Sequence, residues 1–127
     1  MAKPARQFVI QQHSTPDGVH WDLMLEMDDC LWTWRLHVPP AEIKNKPITV
    51  ERIHDHPLRF LSYEGPVQNN TANVRIADRG LCRIINPTEN SLVFKPQGTI
   101  LKGTFILTQT ANPPCWTLRP TSSGQLR

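Results

Sequence analysis

Apolar and polar residues alternate along this chain in short runs, broken at close intervals by Gly, Pro, Asn and Asp. A period of two marks strands with one buried face. The pattern predicts strands over residues 8–12, 20–27, 30–38, 48–53, 58–63, 72–77, 81–85, 91–95, 99–109 and 115–119. In the third, Trp32, Trp34 and Leu36 share a face. Residues 41–45 allow a single helical turn. Asp78-Arg79-Gly80 reads as the turn of a hairpin between 72–77 and 81–85, and residues 1–6 and 120–127 read as frayed ends. Twelve prolines speak against long helices. The pattern therefore specifies an all-β fold, a compact closed or nearly closed β-barrel of about eight to ten short antiparallel strands, because closure removes exposed edges.

Within this pattern one stretch concentrates chemistry, His13-Ser14-Thr15-Pro16-Asp17-Gly18-Val19-His20-Trp21-Asp22. Pro16 and Gly18 form a loop. In the strand beyond it, His20 and Asp22 point one way, with Trp21 and Leu23 opposite. If the flanking strands are neighbours, the loop returns His13 to the side of His20 and Asp22. Two imidazoles and one carboxylate then surround a point with positions left open, a set that Mn²⁺, Fe²⁺ and Zn²⁺ all accept. Spacing alone favours an ordinary turn with a solvated Asp22.

Composition narrows the classes. The chain has 127 residues, 39% hydrophobic and 20% charged, which fits one globular domain. No apolar run reaches the roughly 20 residues of a membrane helix, and Met1-Ala2-Lys3-Pro4-Ala5-Arg6 has no apolar signal core behind it. A cytoplasmic monomer without a membrane partner is expected. Cys30, Cys82 and Cys115 are widely spaced and odd in number, so they read as free thiols. A net charge of +3 is compatible with a polyanionic partner.

A second cluster is His54-Asp55-His56-Pro57. Proline biases His56 to an extended backbone, which puts His54 and His56 on one face. They serve either as solvated residues at a strand boundary or, if the barrel brings them to the first cluster, as a general acid or a phosphate ligand. Trp32, Trp34 and Trp116 read as core, and Trp21 is left open between core and site. Arg75, Arg79 and Arg83 read as a solvated hairpin, with a phosphate track as the alternative.

Phe8-Val9-Ile10-Gln11-Gln12-His13, His20-Trp21-Asp22-Leu23-Met24-Leu25-Glu26, Asp55-His56-Pro57-Leu58 and Tyr63-Glu64-Gly65, in this order, resemble the 3′-phosphoesterase domain of bacterial DNA ligase D. Asp78-Arg79-Gly80, Leu101-Lys102-Gly103 and Trp116-Thr117-Leu118 extend the resemblance over nearly the whole chain. It also covers the short stand-alone members of that family. It implies a grooved barrel that uses Mn²⁺, or another divalent metal, to remove 3′-phosphates and 3′-ribonucleosides during DNA repair by end joining. It implies His13, His20 and Asp22 as metal ligands, His56 as the group that contacts the scissile phosphate, and Gln11 beside the metal. The implied partners are DNA or RNA-tailed DNA 3′ ends, with ligase and polymerase supplied by separate proteins.

The departures bear on activity. The family has arginine where this chain has Met24, a carboxylate where it has His54, a tyrosine where it has Phe60 and a lysine where Val38 falls. Arg35 or Arg52 is the expected substitute for the lost charge. The loop between His13 and His20 is one residue longer than the family's, and only seven residues precede Phe8, where the family carries an arm with further phosphate contacts. Each charge-assisted contact to a transferring phosphoryl group is worth several kcal/mol, or roughly a hundredfold in rate. The expected function is a metal-dependent 3′-phosphoesterase with His56, Gln11, His54 and Arg35 as catalytic candidates. The alternative is a catalytically impaired module that binds metal or nucleic-acid ends, and a third reading is a structural barrel.

Overall fold

The structure is a computed structural model that describes residues 5–121. Nine strands follow in order: β1 (Arg6–Thr15), β2 (Gly18–Glu26), β3 (Leu31–Leu36), β4 (Ile48–His56), β5 (Gly65–Val67), β6 (Ala72–Ile85), β7 (Ser91–Gln97), β8 (Thr104–Gln109) and β9 (Cys115–Thr121). Two 3₁₀ turns, Pro40–Lys44 and Leu58–Leu61, flank β4. Eight strands close as β1-β2-β3-β4-β9-β8-β7-β6, with β6 returning to β1, and β5 adds to the free half of β6. All pairings are antiparallel, and closure leaves no barrel edge unpaired. No helix of the described residues is long and apolar enough to cross a membrane.

The period of two divides each wall strand between two environments. Phe8, Ile10, Leu23, Leu25, Trp34, Leu36, Val50, Phe94, Phe105, Leu107, Trp116 and Leu118 fill the interior. Trp21 and Trp32 pack partly against that core, which places Trp21 on the core side of β2. A second, smaller cluster of Val9, Met24 and Leu31 lies on the outer face of the wall, beneath Phe60, Leu61 and Ile76. The barrel therefore has an inner core and an outer wall that is partly roofed by the segment after β4.

Four expectations from the sequence are corrected. Residues 58–63 form no strand: Pro57 leads into the 3₁₀ turn Leu58–Leu61, and this segment roofs the wall. Residues 72–85 are one continuous strand, not a hairpin. A register shift between Ile10 and Gln11 pairs Ile10 with Asp78 but Gln11 with Ile76, so one extra residue of β6 bulges. Beyond the bulge, the even-numbered residues of β6 exchange the outer face for the inner one. The turn-like Asp78-Arg79-Gly80 serves packing instead. The Asp78 carboxylate accepts hydrogen bonds from the backbone N–H groups of Thr99, Ile100 and Leu101 at 2.8, 3.2 and 2.7 Å. A Cβ on Gly80 would lie 2.1 Å from the Gln97 carbonyl oxygen, so only glycine lets β6 pass the β7–β8 loop. Those bonds hold residues 99–101 in a loop, and the strand predicted from 99 starts at Thr104. Fourth, Arg6 and Pro120, expected in frayed ends, lie in β1 and β9, and the Arg6 guanidinium reaches the Glu26 carbonyl and the Asp28 carboxylate. The outermost residues of both ends lie outside the described residues.

Candidate functional site

The site is built on the outer wall from three cross-strand rows, and the register sets each one. The first row is Val74 on β6, His13 on β1 and His20 on β2. The second is Ile76, Gln11, Asp22 and Arg35. The third is Val9, Met24, Thr33 and Ile53. Residues opposite one another on antiparallel strands have their Cβ atoms about 5 Å apart, so the rows put the two histidines side by side above Asp22. The short loop Pro16-Asp17 makes this pairing possible. Thr15 Oγ1 closes it, accepting the Asp17 N–H and donating to the Gly18 carbonyl.

The resulting cluster is tight. One ligand atom each from His13, His20 and Asp22 lies within 4.8 Å of the others. His13 Nδ1 and His20 Nε2 are each 3.5 Å from Asp22 Oδ2, and Arg35 Nε is 3.7 Å from Asp22 Oδ1. The two imidazoles meet edge to face, with centroids 4.5 Å apart. Burial, with Arg35, His13 and His37 nearby, lowers the His20 pKa to about 4, so its ring is neutral and free to donate a lone pair. Burial pushes the Asp22 carboxyl upward against the opposing pull of Arg35 and His13. His13 Nε2, His20 Nε2 and Asp22 Oδ1 are buried and have no hydrogen-bond partner. Orphaned buried polar atoms are costly, and a single cation among two imidazoles and a carboxylate satisfies all three residues. The donor set fits a divalent metal.

Beside the cluster lies a cavity of about 400 Å³ lined by His13, Asp22, Arg35, His54, His56 and Arg59, among others. The barrel thus brings the second histidine pair to the first, as one of the two sequence readings requires. The His54 and His56 rings stack at 4.5 Å. His56 Nδ1 sits 3.1 Å from the His54 carbonyl oxygen and 3.0 Å from Thr33 Oγ1, whose hydroxyl donates to the Leu31 carbonyl. With Nδ1–H committed to these acceptors, Nε2 is the nitrogen left for a ligand. Burial and the neighbouring His54 lower the His56 pKa, which keeps Nε2 an acceptor near neutral pH.

Among the remaining candidates, Arg35 lines the cavity, with its side chain 34% exposed. Arg52 is placed elsewhere: it pairs in register with Trp34, its guanidinium lies over the Trp32 and Trp34 rings, and it bridges Asp55. Gln11 is 1% exposed, and its Nε2 donates to the carbonyls of Phe60 and Tyr63 at 3.0 and 3.1 Å. Gln11 is therefore a positioning residue that ties the roof to β1. Met24 lines the cavity floor and packs in the outer apolar cluster. Arg59 lines the same cavity, with its guanidinium 4.7 Å from the Phe60 ring centroid. It was not singled out from the sequence, where a lone arginine in a strand-like segment carries no signal; the 3₁₀ turn is what aims it.

No curated protein matches the chain. The sequence model of the DNA ligase D 3′-phosphoesterase domain matches residues 11–109, which include Gln11, His13, His20, Asp22, Arg35, His54, His56 and Arg59. With its all-β barrel and that match over most of its length, the chain belongs to the DNA ligase D 3′-phosphoesterase domain family.

Proposed function

We propose that this protein is a metal-dependent phosphoesterase that processes 3′ ends of nucleic acid. The observation that carries the reading is the juxtaposition of the His13, His20 and Asp22 donor atoms, within 4.8 Å of one another, with a cavity that presents His56 and Arg35. His13, His20 and Asp22 would hold the ion, with Mn²⁺ the expected species. A divalent ion in such a site supplies Lewis acidity, polarising a phosphate oxygen or lowering the pKa of a bound water. The remaining work falls to the chain. Arg35 neutralises and orients phosphate oxygens through its guanidinium fork, the role that Met24 cannot take. His56 offers Nε2 as a proton acceptor and, once protonated, as a donor to a phosphate oxygen, held in place by the His54 carbonyl and Thr33. His54 stacks on the His56 ring and fixes its plane. Gln11 and the roof exclude water from one side of the cavity.

A second reading rests on Met24. An apolar side chain, 1% exposed, takes the place of a cation at the cavity floor, which suits a module that binds metal or nucleic-acid ends without turning over. The deciding experiment titrates Mn²⁺ into the pure protein while NMR line broadening is followed, and incubates the same samples with a primer–template ending in a 3′-phosphate or one 3′-ribonucleotide. Broadening centred on His13, His20 and Asp22, with trimming abolished in Asp22→Ala and His20→Ala, establishes the enzyme. Localised broadening without trimming establishes the binding module. Broadening that is not localised refutes the metal site.

A further inference from the structure

The cations of this chain are unevenly placed. Residues 72–109 carry Arg75, Arg79, Arg83, Lys95 and Lys102 against only two acids, Asp78 and Glu89. Asp78 is buried, and its carboxylate is taken by three backbone N–H groups. Arg83 and Lys95 are direct cross-strand partners on β6 and β7, an arrangement in which like charges repel. None of Arg79, Arg83, Lys95 and Lys102 makes an ion pair among the described residues. Arg83, Lys95 and Lys102 line an open cleft of about 610 Å³ together with Gln97, Gly98 and Gly103, and no acid lines it.

The bulge in β6 joins this cleft to the site. Before it, Val74 and Ile76 stand on the outer wall beside His13 and Gln11. After it, the outer face passes to Arg79, Leu81 and Arg83, and Arg79 pairs with Val9, which pairs with Met24 at the cavity floor. Two inter-strand steps of about 4.8 Å separate Arg79 from Met24, so the row of cations starts about 10 Å from the cavity. From Arg79 to Arg83 the strand advances about 13 Å, close to the rise of four nucleotides at about 3.4 Å each. Leu81 is 50% exposed between the two arginines and offers an apolar contact of the kind a sugar ring accepts.

We propose that Arg79, Arg83, Lys95 and Lys102 form a track for the phosphodiester backbone of the nucleic acid whose 3′ end occupies the site. This rests on the phosphoesterase reading above, and it assigns the substrate a direction: away from the cavity along the outer face of β6 toward the β7–β8 loop. A solvated row of arginines does not account for two unpaired like charges placed opposite each other; a polyanion lying between them does. The contacts are to backbone phosphates, so the track fixes register and orientation without reading sequence.

The test measures fluorescence anisotropy of a short, blunt, 5′-labelled duplex with a 3′-hydroxyl over a range of salt concentrations. It compares the wild type with Arg83→Ala/Lys95→Ala, Arg79→Ala/Lys102→Ala and the charge-conserving Arg83→Lys. Each double variant should lower the slope of log K against log salt by about 1.8, or about 0.9 per lost phosphate contact, and weaken binding at least tenfold at about 0.1 M salt. Arg83→Lys should keep the slope. Hydrolysis of a nucleoside 3′-monophosphate, too small to reach the track, should be unchanged in all variants. Unchanged slope and affinity in both double variants overturn the track, as does a loss seen only with phosphatidylserine vesicles. The two readings fail separately. Weakened duplex binding by the double variants of a protein that hydrolyses nothing keeps the track and sinks the enzyme. Hydrolysis with duplex binding unchanged in those variants does the reverse.

Discussion

Replacing Gln11 with methionine tests the link between barrel and roof. The new side chain has nearly the same length and keeps the position apolar-compatible, but it removes both N–H donors to the Phe60 and Tyr63 carbonyls. Each such bond contributes about 1 kcal/mol net, and each buried carbonyl left unpaired costs about 1–3 kcal/mol. Both carbonyls belong to a segment whose 3₁₀ turn contains no fully buried residue, so water can reach them once the roof loosens. The low end applies, about 2–3 kcal/mol in all, or roughly a 30- to 150-fold shift toward roof opening. The loss should be local, because the inner core is untouched. Native-state hydrogen exchange reads it directly: the amides of Phe60 and Ser62, bonded within the turn, and of Ile76, bonded to the Glu64 carboxylate, should exchange faster by that factor. Amides of β2 and β3 should be unaffected. Equal protection of the roof amides in both proteins would refute the role given to Gln11, and uniform acceleration everywhere would show that it belongs to global stability instead.

Other expectations follow from single contacts. Gly80→Ala would put a methyl 2.1 Å from the Gln97 carbonyl oxygen and should lower stability to denaturant by about 2 kcal/mol or more; an unchanged midpoint would contradict the close passage of β6 and the β7–β8 loop. Arg35→Ala should reduce turnover of a 3′-phosphate substrate by about a hundredfold or more while leaving the circular dichroism spectrum intact, since Arg35 is the guanidinium nearest Asp22; retention of full activity would remove it from the site. His20 has its pKa lowered from 6.5 to about 4 in the fold, so between these values the unfolded chain binds more protons than the native one. The metal-free protein should therefore lose stability as pH falls through that window, and less steeply in His20→Gln; equal slopes in the two proteins would contradict the burial of a neutral His20.

Much of this arrangement was legible in the chain itself. His20 and Asp22 had to share a face by strand geometry, and the short loop behind Pro16 sufficed to return His13 to them. Their wall was harder to read. Leu25 and Trp34 announce an interior, but Met24 and Val9 look like core too, and only the roof over them explains a second apolar layer. The segment around Asp78 was misread because a bulge breaks the period of two, and because an Asp-Arg-Gly sequence has the composition of a turn whether or not the chain turns. Arg52 and Arg35 were indistinguishable as substitutes for a missing cation. Their faces were set by an irregularity in the β3–β4 register between Leu31 and Thr33, which pairs Arg52 with Trp34 and leaves Arg35 beside Asp22. Register shifts of this kind depend on partners distant in sequence and leave no local trace.

The sharing of each wall strand between core and site has a consequence for how the chain can change length. One residue inserted in β2 between His20 and Asp22 would turn His20 to the interior while Asp22, Leu23 and Leu25 kept their places, taking one ligand from the metal cluster and leaving most of the core in place. One inserted after Asp22 would do the opposite, keeping the cluster and turning the core side chains outward. Insertions and deletions are thus tolerable only in the loops, such as Pro16-Asp17, or where an extra residue can be absorbed as a bulge, as in β6. Substitution at exposed positions of the outer face carries no such penalty. Exposed positions around the site can therefore change identity, so its chemistry is free to drift while its architecture stays fixed.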